Sequence, residues 1–196
     1  MTLARWSDVW ARFSGRGAYP HELSFLLLLP LRRVIFSPSQ LVAHLPLSPE
    51  SRVLEVGPGP GFFSVEVARA VPRGRLELVD LQLDMLRKAR GRVRRGGVRH
   101  AGFSRASAEA LPFVDESFDV VFLVAVLGEV LNPTACVQSI ARVLRQGGRA
   151  VFVELPGDPD VLTADALFEL ARGTPLAFES SVKVSKAKLT TFQRRS

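Results

Sequence analysis

A chain of 196 residues, 47% hydrophobic and 23% charged, suits one domain with a full core and excludes an intrinsically disordered or low-complexity chain. Its single cysteine, Cys136, excludes an internal disulfide, and the N-terminus lacks the charged, apolar and small-residue succession of a signal peptide, so a cytoplasmic protein is expected. The net charge of +7 admits nucleic acid or an anionic membrane surface as partner, yet arginine outnumbers lysine 22 to 4, which also fits a compositional habit.

Residues 1 to 48 read as a helical prelude. Trp6, Val9, Trp10 and Phe13 recur at helical spacing, and Gly15 with Gly17 stops that helix. The run from Ser24 to Phe36 is broken by Pro30, Arg32 and Arg33 and falls short of the ~20 apolar residues of a membrane span. No transmembrane segment is therefore expected, while peripheral membrane contact stays open. Ser37 and Pro38 start another helix, to about Leu45, and Pro46 to Ser51 form the entry loop. Trp6, Trp10, Phe13, Tyr19 and Phe25 carry too much apolar area to leave in water, so this prelude is expected to dock as a lid over the ligand mouth of the domain at 49–196.

That domain opens with Arg52-Val-Leu-Glu-Val-Gly-Pro-Gly-Pro-Gly61, which reads as a buried strand, a glycine turn and a helix over 61 to 70. Gly57, Gly59 and Gly61 allow positive φ and close approach of the backbone to a ligand. A pyrophosphate cradle needs backbone N–H groups, which Pro58 and Pro60 lack, and the third glycine comes one residue early for G-x-G-x-x-G. Glu55 would also repel phosphates and suits a ligand with a cationic end. A second strand, 75 to 80, closes on Asp80, placed to accept hydrogen bonds from ribose hydroxyls. The site therefore calls for a nucleoside without phosphates.

Further along, the pattern gives helix 83 to 94, strands at about 101 to 106 and 118 to 123, helix 133 to 145, strand 149 to 154, helix 163 to 172 and alternating runs at 176 to 184 and 187 to 194. Strands alternating with helices predict an α/β fold with a parallel sheet covered on both faces. The arginine cluster from Arg87 to Arg105 covers the second crossover helix and the loop after it. It reads as a solvated face or an acidic-partner patch, without the interleaved aromatics that stack on bases.

Five stretches in this order resemble the class I S-adenosylmethionine-dependent methyltransferases, and most closely the ubiquinone and menaquinone C-methyltransferase branch. They are Val53-Leu-Glu-Val-Gly-Pro-Gly-Pro-Gly61, Val79-Asp-Leu-Gln-Leu-Asp-Met-Leu86, Ala108-Glu-Ala-Leu-Pro-Phe113, Ser117-Phe-Asp-Val-Val121 and Ala141-Arg-Val-Leu-Arg-Gln-Gly-Gly-Arg149. The resemblance covers roughly residues 50 to 194 and implies a Rossmann-like, doubly wound, seven-stranded, mostly parallel sheet closed by an antiparallel C-terminal hairpin. It implies S-adenosylmethionine as cofactor, with Gly57, Gly59 and Gly61 beside its methionine part and Glu55 holding its ammonium group or orienting the loop. Asp80 would bind the ribose and Leu81 would lie against the adenine. Ser107 stands where the family has an aspartate for the adenine edge. Pro58, Gln82, Ala108, Glu109 and Leu123 complete the implied cofactor set.

A sulfonium methyl is already a reactive electrophile, so in-line positioning of a small, lipophilic or organic acceptor supplies much of the catalysis. Where the acceptor must lose a proton, Glu129, His21 and Tyr19 are the candidate bases, none within a motif. Asp119 reads as structural, His44 and His100 as surface or loop residues, and no metal site is indicated. Two other readings stay open: a methyltransferase-fold protein that binds or regulates without catalysis, and a methyltransferase acting on RNA or another polyanion. The apolar stretch Leu123-Val-Ala-Val-Leu-Gly128 after the fourth strand favours a small organic acceptor.

Overall fold

The computed structural model describes residues 36–156 and 161–196. Within them the chain runs α1 (Pro38–His44), β1 (Arg52–Val56), α2 (Ser64–Ala70), β2 (Arg75–Asp80), α3 (Leu83–Arg95) and β3 (Ala101–Arg105). It continues through β4 (Phe118–Val124), a 3-10 turn (Leu127–Glu129), α4 (Pro133–Val143), β5 (Leu144–Glu154), α5 (Ala164–Ala171), β6 (Leu176–Val184) and β7 (Ala187–Arg194). The expected helix around Trp6, the apolar run as far as Ile35, the bases Tyr19 and His21, and the lid they would build all lie outside the described residues. Among the described residues no helix is long and apolar enough to cross a membrane.

The seven strands form one sheet in the order β3-β2-β1-β4-β5-β7-β6. The pairs among β1 to β5 are parallel, and β7 runs antiparallel between β5 and β6. Sequence and structure thus agree on a doubly wound, mostly parallel sheet with an antiparallel C-terminal hairpin. β4 and β5 carry unbroken apolar runs, at residues 120–124 and 150–153, because both of their faces are buried, while Glu55 interrupts β1 and Glu77 interrupts β2. Val53, Leu76, Leu78, Val120, Phe122, Val151 and Val153 point to one face, where α1, α2 and α3 cover them. Leu54, Val56, Val79, Val121, Leu123, Ala150 and Phe152 point to the other, beneath α4 and α5.

Local chemistry starts the helices where it should. Ser37 and Gln40 form a reciprocal capping box on α1, Asn132 caps α4 ahead of Pro133, and Thr163 caps α5. Phe36, Leu41 and Leu45 then enter the first core layer, with the Phe36 ring 5.8 Å from that of Phe63. Two boundaries differ from the pattern by three residues or more. The helix expected from residue 61 begins at Ser64, because Gly61 sits at φ 76°, outside the helical region. The fifth strand starts at Leu144 instead of 149, since a bulge lets Leu144 pair with Phe118 before Arg149 pairs with Val120. Asp119 proves structural: Oδ2 accepts the Arg52 N–H at 2.6 Å, and the carboxylate pairs with Arg145.

Two glycines give opposite expectations for stability. A methyl at Gly74 would lie 2.1 Å from the Ser51 carbonyl oxygen, backbone that cannot step aside, whereas at Gly91, inside α3, it would meet only the tip of Arg95 at 3.4 Å. In urea unfolding Gly91→Ala should therefore stabilise the chain by about 0.5–1 kcal/mol. Gly74→Ala should destabilise it by about 1–3 kcal/mol. Equal shifts for the two variants would contradict this packing.

Candidate functional site

In a doubly wound sheet the crevice for a ligand opens at the carboxyl ends of the strands where the strand order reverses, here between β1 and β4. The glycine loop leaves β1 at this point, and β2 ends beside it in Asp80.

Every backbone donor of the loop is already engaged or missing. The Gly57 N–H donates to the Val79 carbonyl (2.8 Å), that of Gly59 to Asp80 Oδ2 (3.2 Å) and that of Gly61 to the Pro58 carbonyl (3.0 Å). Pro58 and Pro60 have none to give. The loop therefore offers a phosphate no N–H group, and the acid beside it would repel one. Asp80 also accepts the Gln82 N–H on Oδ1 at 2.8 Å, so one carboxylate fastens the loop after β1 to the turn after β2. Each of its oxygens keeps a second lone-pair direction for a hydroxyl donor. Partial burial raises the Asp80 pKa, and the N–H groups of Gln82 and Gly59 act against that rise.

The three glycines divide by what surrounds them. Gly57 (φ 66°) and Gly59 (φ 53°) are half-buried, while Gly61 is buried, with a methyl there set to lie 2.9 Å from the Ala89 Cα of α3. Gly61 is thus a packing residue that lets the loop close on α3. A methyl on Gly57 would come within 2.6 Å of the Val126 side chain, from the loop after β4.

Glu55, only 3% exposed, accepts the Ser64 hydroxyl at 2.5 Å and so ties β1 to the first turn of α2 beneath the loop. Burial pushes its pKa up to about 7, against the bond from Ser64 and with a smaller contribution from the Asp80 charge.

The remaining expected residues are less uniform. Leu81 is 57% exposed beside Asp80, an apolar surface left in water at the mouth. Ala106, whose N–H reaches the Asp80 carbonyl, brings Ser107 and Ala108 to the same rim, all half-buried. The Ser107 hydroxyl accepts the Glu109 N–H at 3.2 Å and donates to Glu109 Oε2 at 3.4 Å. Glu109 Oε1 in turn accepts the Asn132 N–H at 2.8 Å, linking this rim to the start of α4. Leu123 is packed in the second core layer. Glu129 is half-buried on the 3-10 turn after β4. His44 and His100 bond to the carbonyls of Gln40 and Ala68 on helices.

Three residues escaped the sequence reading. Ser64 and Val126 act through contacts with Glu55 and Gly57 that no local motif announces. Ala125, at the end of β4, holds φ 53° while its N–H donates to the Val153 carbonyl at 2.8 Å. Such a left-handed non-glycine residue costs about 1–2 kcal/mol and marks a constrained corner at the crevice.

Comparison with known proteins came down on the same region. Residues 54–152 match the family described as "Methyltransferase domain". The chain is similar to the ubiquinone/menaquinone biosynthesis C-methyltransferase UbiE of Pasteurella multocida, 37% identical over 105 residues, which are 53% of this chain and 39% of that protein. The corresponding protein of Ectopseudomonas mendocina is 37% identical over 115 residues, 57% of this chain and 45% of its own. The match thus spans less than half the length of these relatives. Among solved structures, a SAM-dependent methyltransferase from Aquifex aeolicus superposes with a TM-score of 0.84 at 18% identity, covering 90% of this chain and 100% of that one. At that identity the likeness speaks for the fold.

Glu55 makes a pH test. Below about pH 4.5 folded and unfolded chains both hold its proton and above about pH 7 neither does; in between only the folded chain holds it, so its contribution to stability falls as pH rises through that window. Glu55→Gln should remove this fall. In urea unfolding the variant should gain on the parent by on the order of 3 kcal/mol between about pH 4.5 and 7. Parallel stability curves would show that Glu55 titrates in the fold as it does in the unfolded chain.

Proposed function

The chain belongs to the methyltransferase-domain family, and from that premise we propose that it transfers a methyl group from S-adenosylmethionine to a small, apolar organic acceptor. Family and fold imply this cofactor. The residues fit it on the structure's own terms: a glycine loop without a donor for phosphate, an acid with lone pairs to spare, and exposed Leu81 beside it. The engaged or missing donors of residues 57–61 carry the reading, because they select a nucleoside that bears no phosphate.

When bound, S-adenosylmethionine supplies an electrophilic methyl on a positively charged sulfur. Asp80 would accept the ribose hydroxyls through its second lone pairs, and the half-buried backbone of Gly57 and Gly59 would lie beside the methionine part. Leu81 would cover one face of the adenine, and Ser107, with Ala108, Gln82 and Pro58, would line the rest of the rim. The bond from Ser64 supports the loop-orienting role for Glu55, and its link to Asn132 gives Glu109 a similar duty on the far rim. Glu129, on the turn after β4, is the proton acceptor we favour among the described residues where the acceptor must lose a proton.

The relatives' names point to C-methylation in ubiquinone and menaquinone biosynthesis, which makes a hydroquinone ring the first acceptor class to try. The apolar stretch Leu123–Gly128 at the crevice supports such an acceptor over a polyanion.

Calorimetry checks the cofactor assignment. Asp80→Asn keeps the shape and one acceptor oxygen but loses the charge, and hydrogen bonds to a charged acceptor contribute about 1.5–3 kcal/mol each. S-adenosylmethionine should therefore bind this variant about 10- to 100-fold more weakly than the parent. Equal affinity would remove Asp80 from the cofactor site.

A further inference from the structure

The mouth is built from acids and spent donors, and the anion-attracting surface lies elsewhere. A cleft of about 500 Å3 opens at the sheet edge, between the C-terminal half of α3, the turn after it and the edge strand β3. Arg90, Arg94 and Arg99 rim it, and Val93, Val98 and Phe103, which belong to the margin of the first core layer, form its apolar floor. Because α3 starts at the mouth and the cleft is lined from Arg90 onward, seven residues into the helix, the cleft lies about 10 to 20 Å away, toward the other end of the sheet.

Among the described residues nine other arginines, Arg149 and Arg142 among them, pair with a carboxylate. The guanidinium groups of Arg52, Arg95 and Arg195 are as unengaged as those at the cleft, but only at the cleft do three such arginines line one cavity. Among the described residues no ion pair or hydrogen bond engages the guanidinium group of Arg90, Arg94 or Arg99. Capping of α3 does not require them, since the carbonyls of Arg92, Val93 and Arg94 already accept the N–H groups of Gly96, Val98 and Gly97. The helix dipole favours Arg94 in the last turn, but Arg99 lies beyond the helix and Arg90 before that turn. Three cations converging on one concavity repel one another unless an anion joins them.

We propose that this cleft is a second ligand site, which binds a phosphate monoester carried on an apolar or aromatic body. Guanidinium groups match phosphate oxygens in pairs of hydrogen bonds, the floor takes the body, and the volume lies within the range of small-molecule pockets. The proposal stands independently of the cofactor site. The phosphate can reach the cleft on a free small molecule or in a lipid headgroup, and the shared chemistry is the same.

The test uses the full chain, with phenyl phosphate and inorganic phosphate titrated by calorimetry at low salt. Vesicles of phosphatidylcholine, with and without phosphatidic acid, whose headgroup is a phosphate monoester, form a flotation arm. Phenyl phosphate should bind one to one and more tightly than inorganic phosphate. Its affinity should fall about tenfold in Arg94→Glu and in Arg99→Glu, while Arg195→Glu, an equal change of net charge far from the cleft, should leave it in place. Binding of phenyl phosphate without capture by vesicles assigns the site to a free phosphate ester. Capture by phosphatidic acid vesicles that the same two variants abolish assigns it to a headgroup. Absence of saturable binding in both arms overturns the proposal, as does an equal loss in Arg195→Glu, which would show net charge acting without a site. Unchanged urea midpoints in Arg94→Glu and Arg99→Glu confirm that these variants fold.

Discussion

One carboxylate sits between two loops that the chain makes about twenty residues apart, and the geometry of the mouth depends on it. Asp80 accepts the N–H of Gly59 on one oxygen and that of Gln82 on the other. The bond to Gly59 holds the glycine loop against the end of β2, which the bond from Gly57 to the Val79 carbonyl reinforces. The bond to Gln82 shapes the turn into α3. With the donors of this loop engaged there and two prolines contributing none, the same arrangement that orders the loop also strips it of any capacity to cradle phosphate. Order and selectivity arise from one set of hydrogen bonds.

Packing fixes the loop from below and from the sides. Glu55 lies under it, buried and bonded to Ser64, so that the strand before the loop is tied to the helix after it. Ala89 closes on Gly61 and Val126 on Gly57, at separations that leave no room for a methyl group. Burial is unfavourable to the charged form of each acid, and it pushes both carboxyls above their ordinary range, Glu55 with a smaller push from the Asp80 charge. A cationic group entering the mouth would relieve this, a property that suits a sulfonium nucleoside with an ammonium group.

Much of this was legible in the sequence, and the parts that were not share a cause. β1, β2 and β4 could be read because strands buried on both faces are mostly apolar, and Asp80 because it ends such a strand at a fixed remove from the glycines. The beginning of α2 was misplaced because Phe62 and Phe63 keep helical spacing while the backbone at Gly61 does not. The beginning of β5 was missed because a bulge, which has no compositional mark of its own, extends it back to Leu144. At the site, the parts played by Ser64, Ala125 and Val126 went unread since each acts across a tertiary contact. Ser107 was identified by its departure from the family's aspartate, but its engagement with Glu109 is visible only in the fold.

The fold therefore separates its charges, with acids at the carboxyl ends of the central strands and unpaired arginines at the rear of α3. On this arrangement the mouth, and not the basic rear, is expected to receive S-adenosylmethionine. Amide chemical shifts of the 15N-labelled chain, followed through a titration with S-adenosylmethionine, test this most directly. The account predicts the largest changes at Gly57, Gly59, Leu81 and Ser107, with the amides of Arg94 and Arg99 unmoved. Changes centred on α3 and β3, or an unaltered spectrum at saturating cofactor, would contradict it.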